Sequence, residues 1–262
     1  MENAESTEWQ APLPPEKIEE PERAQISEVG TLGSIFFEPG RTFEDLRRKP
    51  RFILATLIIL VLFSAFSYLF IQKIGYERIL RERMESNSRV QQLPEDQKQK
   101  LIEQQSSPIA KAAGQVLPPI VFLIVIFLGG LIYWLGANAM GGSAKYLQGV
   151  SVWVYSWFPP FVISMILNFV VLFIKAADDI DVVSSQSGLV KANPSMFIDA
   201  KTQPVLNALL SSIDLFQIWG WILAAIGLKT IAKISGASAW AVVLIVALIG
   251  ITARVVLALF FG

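Results

Sequence analysis

Long uninterrupted apolar blocks alternate with charged connections along this chain. Residues 52–72, 112–144 and 146–174 contain no Asp, Glu, Lys or Arg, and two further blocks, at about 205–228 and 235–261, are interrupted only by Asp214 and Arg254. A helix or strand of a soluble domain interleaves polar positions at its own period, and none of these blocks does. A helix needs about 20 apolar residues to cross a hydrocarbon core of about 30 Å. The pattern therefore predicts an all-α polytopic membrane protein, a five-transmembrane-helix bundle with spans at about 52–72, 116–139, 147–174, 205–228 and 235–261.

The connections divide the rest of the chain. Residues 1–31 are rich in Glu and Pro and poor in large apolar side chains, a composition that does not repay the entropy of ordering, so they read as an acidic, Pro-rich disordered tail. Residues 32–51 form an amphipathic juxtamembrane segment. In it Leu32, Ile35, Phe36 and Phe37 suit the membrane surface, Pro39-Gly40 makes a turn, and Thr42 caps a short helix ending before Pro50. Residues 52–262 make the membrane domain. Between spans one and two, Lys73 to Gln115 is polar and reads as a small helical hairpin with Pro94 in a first turn. Lys175 to Pro204 is a third long loop. The connections near Gly141-Gly142 and near Lys229 to Gly236 are short, which makes the spans around each antiparallel neighbours. Their two hairpins, "GANAMGGSAK" and "GLKTIAKISGAS", read as ordinary hairpins rather than a repeat.

Charge adds orientation. The chain of 262 residues has 22 basic and 22 acidic side chains and a mean hydropathy of +0.50. Arg41, Arg47, Arg48, Lys49 and Arg51 precede span one, and Lys145, Lys229 and Lys233 lie in the short loops. By the positive-inside rule these place the N-terminus in the cytoplasm and the C-terminus outside, against the opposing vote of Lys73, Arg78, Arg81 and Arg83. The acidic start has no basic n-region before an apolar stretch, so the first span directs insertion. No basic run points to nucleic acid. Cysteine and histidine are absent, which excludes thiol nucleophiles, Ser-His dyads and HExxH metal chemistry. "GGSAK" lacks the spacing of a phosphate loop. No catalytic, cofactor-binding or metal-binding residues are expected, no cofactor is called for, and the chain reads as no enzyme.

The two intramembrane charges are the candidate chemistry. A charge near the bilayer centre costs about 2.5–3.5 kcal/mol on insertion scales and ordinarily has a partner. With span four entering at Val205, Asp214 lies about 13 Å deep, and with span five leaving at Gly262, Arg254 lies about 12 Å from the same face. Equal depth on antiparallel helices predicts an Asp214–Arg254 ion pair. The alternative is an Arg254 that snorkels to the headgroups and a neutral or hydrated Asp214. Asn207, Ser211, Asp214, Gln217 and Trp221 recur at three- and four-residue spacing, a polar stripe on one face of span four. It serves either helix association or a solute path. Elsewhere, Pro159-Pro160 should kink span three, with Ser164 and Asn168 following to satisfy freed groups or face a cavity. Pro118-Pro119 is expected at the start of span two, and Gly129-Gly130, Gly136, Ala137 and Gly141 form a small-residue face.

Three strings carry a family resemblance: "FFEPGRTFEDLRRKP", "GGSAKYLQGVSVWVYSWFPP" and "LLSSIDLFQIWGWILAAIGLKTIAKIS". The positions are Gly141, Gly142, Tyr155, Ser156 and Pro159, then Asp214, Phe216 and Trp219. The chain resembles the Yip-domain family of Ypt/Rab-interacting membrane proteins over about residues 32–262. The resemblance implies a five-helix bundle with a cytoplasmic N-terminus. It also implies homo- or hetero-oligomers with other membrane proteins and, in a eukaryotic chain, a prenylated small GTPase partner. The long charged first loop and the acidic tail are more similar to the bacterial branch. The expected function is non-enzymatic, in membrane organisation or trafficking-like processes through protein or lipid contacts. The alternative is a small-solute or ion transporter, or a transporter subunit, that uses the polar face of span four.

Overall fold

The computed structural model describes residues 24–199 and 202–261, and the expectation for the acidic tail falls mostly outside them. All regular structure among these residues is helical: α1 Glu28–Phe37, α2 Pro39–Arg48, α3 Ile53–Ile74, α4 Tyr76–Glu85, α5 Ser88–Gln91, α6 Glu95–Gln105, α7 Pro108–Ala139, α8 Tyr146–Ile174, α9 Pro204–Leu210, α10 Leu215–Ala232 and α11 Gly236–Phe261. Helices α3, α7, α8, α10 and α11 are long and apolar enough to cross a membrane. They are the five expected spans, with two displaced boundaries.

The first displacement is in span two. Helix α7 begins ten residues before Pro118, where Ser107 accepts a hydrogen bond from Ala110 N and Pro108 occupies the first turn. A Ser cap followed by Pro is a stronger start than a Pro pair whose lost hydrogen bonds are few in a helix of 32 residues. Its extra turns carry it past the bilayer to the polar hairpin, where Tyr76 Oη donates to Gln105 O and Lys111 lies over the Tyr76 ring. Helix α8 likewise runs unbroken through Pro159 and Pro160. Pro160 has no N–H to offer the Ser156 carbonyl, and Gly220 of α10 lies against that carbonyl.

The segment expected on the membrane surface is instead wedged into the bundle. Ser27 caps α1, Pro39 starts α2, and the hydroxyl of Thr42, placed inside α2 rather than at its cap, is within hydrogen-bond distance of both Glu38 O and Ser34 Oγ and so ties the two helices together. Ile35, Phe43 and Leu46 are fully buried in the main core. Phe36 packs edge-on against Phe158 of α8 and Trp219 of α10, at 6.1 and 6.2 Å. The Phe43 ring sits where α10 has Gly227 and α8 has Val152.

Small residues let the spans approach. A Cβ on Gly130 would fall 2.6 Å from Val150 Cα, and one on Gly129 would fall 2.2 Å from the Trp153 ring, so α7 and α8 touch backbone to backbone. Gly136 takes Val242 of α11 in the same way. At the turn after α7, Gly141 has φ +83°, a conformation costly for other residues. Asn138 then holds both the N–H and the C=O of Ala144, the latter shared with Trp134 Nε1.

Both long connections lie at the opposite end from the short ones. Lys73 Nζ donates to the carbonyls of Leu172 and Lys175. Arg78 donates to the carbonyls of Ala177 and Ile180, and Glu82 accepts from Val182 N. Ile74, Ile79, Leu172, Ile180 and Val182 close a second small core beneath them.

Alanine substitutions at three glycines should separate by what each new methyl meets. Gly130→Ala pushes on helix backbone and should be the most destabilising. Gly227→Ala pushes on the Phe43 ring and should cost about 1–3 kcal/mol, with the α1–α2 hairpin becoming protease-sensitive. Gly250→Ala meets open space and should be neutral. Thermal unfolding in detergent with limited proteolysis reads the order, and equal effects at Gly130 and Gly250 would contradict it.

Candidate functional site

Span four is not one helix. Asn207 is in α9, Ser211 is its C-cap, and residues 211–214 form a turn before α10 begins. Ser211 and Ser212 hydroxyls both donate back to Ala208 O, which closes α9. Asp214 is extended (φ −102°, ψ 139°), and its Oδ1 accepts from Phe216 N at 2.9 Å and Gln217 N at 3.4 Å. That is an N-cap, the position where Asp is among the preferred residues. The aspartate expected in the middle of a span is therefore at the beginning of one, and the span is 215–232 rather than 205–228.

The partner of Asp214 also differs from the sequence reading. Its Oδ2 accepts from Asn193 Nδ2 at 2.8 Å. Among the described residues no hydrogen bond or ion pair joins Asp214 to Arg254, and Arg254 lies on the exposed face of α11. Asn193 arrives from the third loop, whose residues 188–193 dip into the bundle. Asn168 of α8, 2% exposed, receives Leu189 N and Val190 N on its Oδ1 and donates to Ser164 O. A Cβ at Gly188, φ +116°, would crowd Asn168. Leu215 N then donates to Ala192 O, and Ile218 N to Asp214 O. The first three N–H groups of α10, at Leu215, Phe216 and Gln217, thus have acceptors within the chain, and Ile218 begins the regular helical bonding. No open donor set is left there for an anion, the feature by which helix N-termini bind ligands.

The polar stripe is split by the same break. Asn207 and Ser211 belong to α9, Gln217 and Trp221 to α10, and Trp221 packs against the main core. Asn207 Oδ1 is buried without a protein partner. The positions singled out by family resemblance do not meet at one point. Gly141 and Gly142 shape the turn after α7, Tyr155, Ser156 and Pro159 are buried along α8, and Asp214, Phe216 and Trp219 start α10. Phe36 bridges the last two groups, since it touches both Phe158, itself 6.2 Å from Tyr155, and Trp219. A cavity of about 340 Å³ lies elsewhere, between α4, α5 and α6, lined by residues that include Arg81, Met84, Glu85, Lys98 and Ile102. Among the described residues no three of His, Cys, Asp and Glu gather as a metal site.

A second polar node, unforeseen from the sequence, lies at the short-loop end. Asp45 and Arg51, 2% and 10% exposed, form an ion pair. Asp45 Oδ1 also accepts from the backbone N–H groups of Gln25 and Ile26, and Arg51 Nη1 donates to Ile26 O. Four groups thus strap the chain before α1 to the end of α2 and the start of α3. Removing one partner of such a pair strands the other in a poorly solvated place.

Substitution should sort the roles of the two intramembrane charges. Asp214→Ala removes the cap and should cost about 1–2 kcal/mol. Asp214→Asn retains an oxygen for Phe216 N and should cost clearly less. A double-mutant cycle of Asp214→Ala with Asn193→Ala should give a coupling of about 0.5 kcal/mol or more, while the same cycle with Arg254→Gln should give none. Coupling to Arg254 instead would restore the ion pair.

The Yip1 domain family model matches residues 33–257. The membrane protein YknW of Bacillus subtilis (strain 168) is 24% identical over 218 residues, which is 82% of this chain and 84% of that protein. No solved structure matches. With five apolar helices of spanning length and a family match that runs from α1 to the last turns of α11, the chain is an integral membrane protein and belongs to the Yip1 domain family.

Proposed function

We propose that this chain is a non-enzymatic scaffold of a bacterial inner membrane, acting in membrane organisation through contacts with proteins or lipids. The short connections and the α1–α2 hairpin face the cytoplasm, and the two long loops face outside. One observation carries this reading over transport. Transporters built on discontinuous helices point a half-helix N-terminus at the substrate. In α10 the corresponding N–H groups are taken by Asp214, its own carbonyl and Ala192. Ser211, Ser212 and Asp214 of span four are occupied in closing the fold, which favours the surfaces at the two ends of the bundle as the means of action. The basic residues of the short-loop end support the orientation.

Proteoliposomes test the choice between scaffold and transporter. Under an imposed potential, a pH- or sodium-sensitive dye inside the vesicles should report the same flux with wild type, with Asp214→Asn and with empty vesicles. A proton or sodium flux that disappears in Asp214→Asn would overturn the scaffold reading in favour of transport. Orientation is read separately, because the chain has no cysteine and each introduced thiol is unique. An impermeant maleimide added to intact cells should label the Gln97→Cys variant and spare the Ser143→Cys variant.

A further inference from the structure

The two ends of the bundle place their charges differently. At the long-loop end Lys73 is held by two carbonyls, Arg78 by Glu82 and Asp178, Lys98 by Glu95, and Lys111 lies over Tyr76, while the exposed Arg81, Arg83 and Lys100 stand among the acidic residues of α4 and α6. At the short-loop end the carboxylates of α2 and its cap are engaged by arginines. Glu38 pairs with Arg41, Glu44 with Arg47 and Arg48, and Asp45 with Arg51. Four lysines at this end, Lys49, Lys145, Lys229 and Lys233, are exposed and make no ion pair among the described residues.

These four belong to three helix termini that the fold gathers. Lys49 caps α2, and Gln148 of α8 donates to the neighbouring Arg47 carbonyl at 2.7 Å. Lys145 immediately precedes α8. The connection containing it is joined to the end of α10 by Ser143 N donating to Ala232 O at 3.2 Å, beside Lys229 and Lys233. The lysines therefore form one collar around the short-loop end. Its height relative to the membrane follows from the helices. Lys73 and the carbonyls it caps mark the far boundary of α3 and α8. A hydrocarbon core of about 30 Å measured back from there ends near Ile53 on α3 and Val152 on α8. Val152 is level with Gly227 through the Phe43 ring. The collar lies just beyond that level, in the headgroup layer.

We propose that this lysine collar binds the phosphate headgroups of anionic phospholipids, so that the protein gathers an anionic annulus around its short-loop end. The proposal rests on the scaffold reading in that it names the lipid class contacted. Flux and headgroup selection are separate measurements, and failure of one leaves the other readable. Lysine suits this task as a compact cation with three donors, and each one near an anionic surface is worth about a fivefold gain in affinity. A soluble acidic partner would be drawn to the same charge. The headgroup-layer height favours lipid, as does Phe37, 86% exposed, whose neighbour Phe36 packs on Phe158 and Trp219 to the hydrocarbon side of that level.

The test is lipid retention. Protein extracted gently from bilayers of equal parts phosphatidylglycerol and phosphatidylcholine is washed, and its retained lipid is quantified by mass spectrometry. Wild type should retain phosphatidylglycerol several-fold over phosphatidylcholine. The combined variant Lys49→Gln, Lys145→Gln, Lys229→Gln and Lys233→Asn should retain the two alike. Asn is chosen at 233 because that residue has φ +57°, which Asn tolerates. A four-arginine version should retain the preference, as should Arg83→Gln with Lys100→Gln at the opposite end. If the combined variant does not fold, the pairs 49/145 and 229/233 are read separately, each expected to lose part of the preference. A preference that survives neutralisation, is absent from wild type, or is abolished by millimolar glycerol 3-phosphate would overturn the proposal, the last by making the site one for free phosphate.

Discussion

Inside a bilayer a peptide N–H or C=O without a partner has no water to turn to, and that requirement governs how the region around span four is built. A break between α9 and α10 frees the first N–H groups of α10 toward the long-loop end of the bundle. They are satisfied only because Asp214 folds its carboxylate back over them and because the third loop brings Ala192 to Leu215. The loop can dip that far because Asn168 receives its own N–H groups at Leu189 and Val190. Asn193 then ties loop to cap through Asp214. Remove any one of these and the next polar group in the series is left without a partner, so loop, break and cap form one cooperative unit.

Close packing imposes the second constraint. Helices in lipid gain little from hiding apolar surface from one another, so their association depends on how closely they can approach. Glycines at 129, 130 and 149 bring α7 and α8 together, and Gly227 opens a seat beside Val152 of α8 that admits a ring from outside the five spans. Phe43 fills it, with Ile35 and Leu46 packed beside it. The α1–α2 hairpin is thus part of the core rather than an ornament of the surface. The buried Asp45–Arg51 pair holds the entry and exit of that hairpin to the start of α3, so its position is fixed from both sides.

The sequence made the number of spans, the antiparallel neighbours and the helical polar loop legible, because long charge-free blocks leave a helix no alternative in lipid. The boundaries were less legible. "SSIDLF" contains a helix stop and an Asp N-cap, but its apolar neighbours hide both within a continuous hydropathy block, and a window sees only the sum. The equal depth of Asp214 and Arg254 was real in one sense: along their own helices both lie about 27 Å from the short-loop end. Depth does not fix the direction in which a side chain points, and Arg254 is on the exposed face while a loop residue 21 positions earlier reaches Asp214. Contacts such as Asn193 to Asp214 depend on how a long loop folds back, which no local periodicity encodes. The buried hairpin was missed for a related reason. Residues 32–51 are amphipathic, and an amphipathic helix suits a membrane surface as well as it suits a groove between spans. Only the Cβ-free position at Gly227 distinguishes the two.

The division of polar residues bears on what the family fold is for. Ser211, Ser212 and Asp214 close the backbone around the break in span four, and Arg254 of span five lies on the exposed face of α11, so a solute path through this region would have to draw on residues already committed to the fold. The two ends of the bundle differ in how their charges are placed. One is a helical cap of mixed charge built on α4 to α6, and the other presents a compact hairpin and a set of cations without carboxylate partners. On the scaffold reading proposed above, a membrane body with chemically different ends would hold other components at a defined height in the bilayer, and the bundle would keep those two surfaces apart.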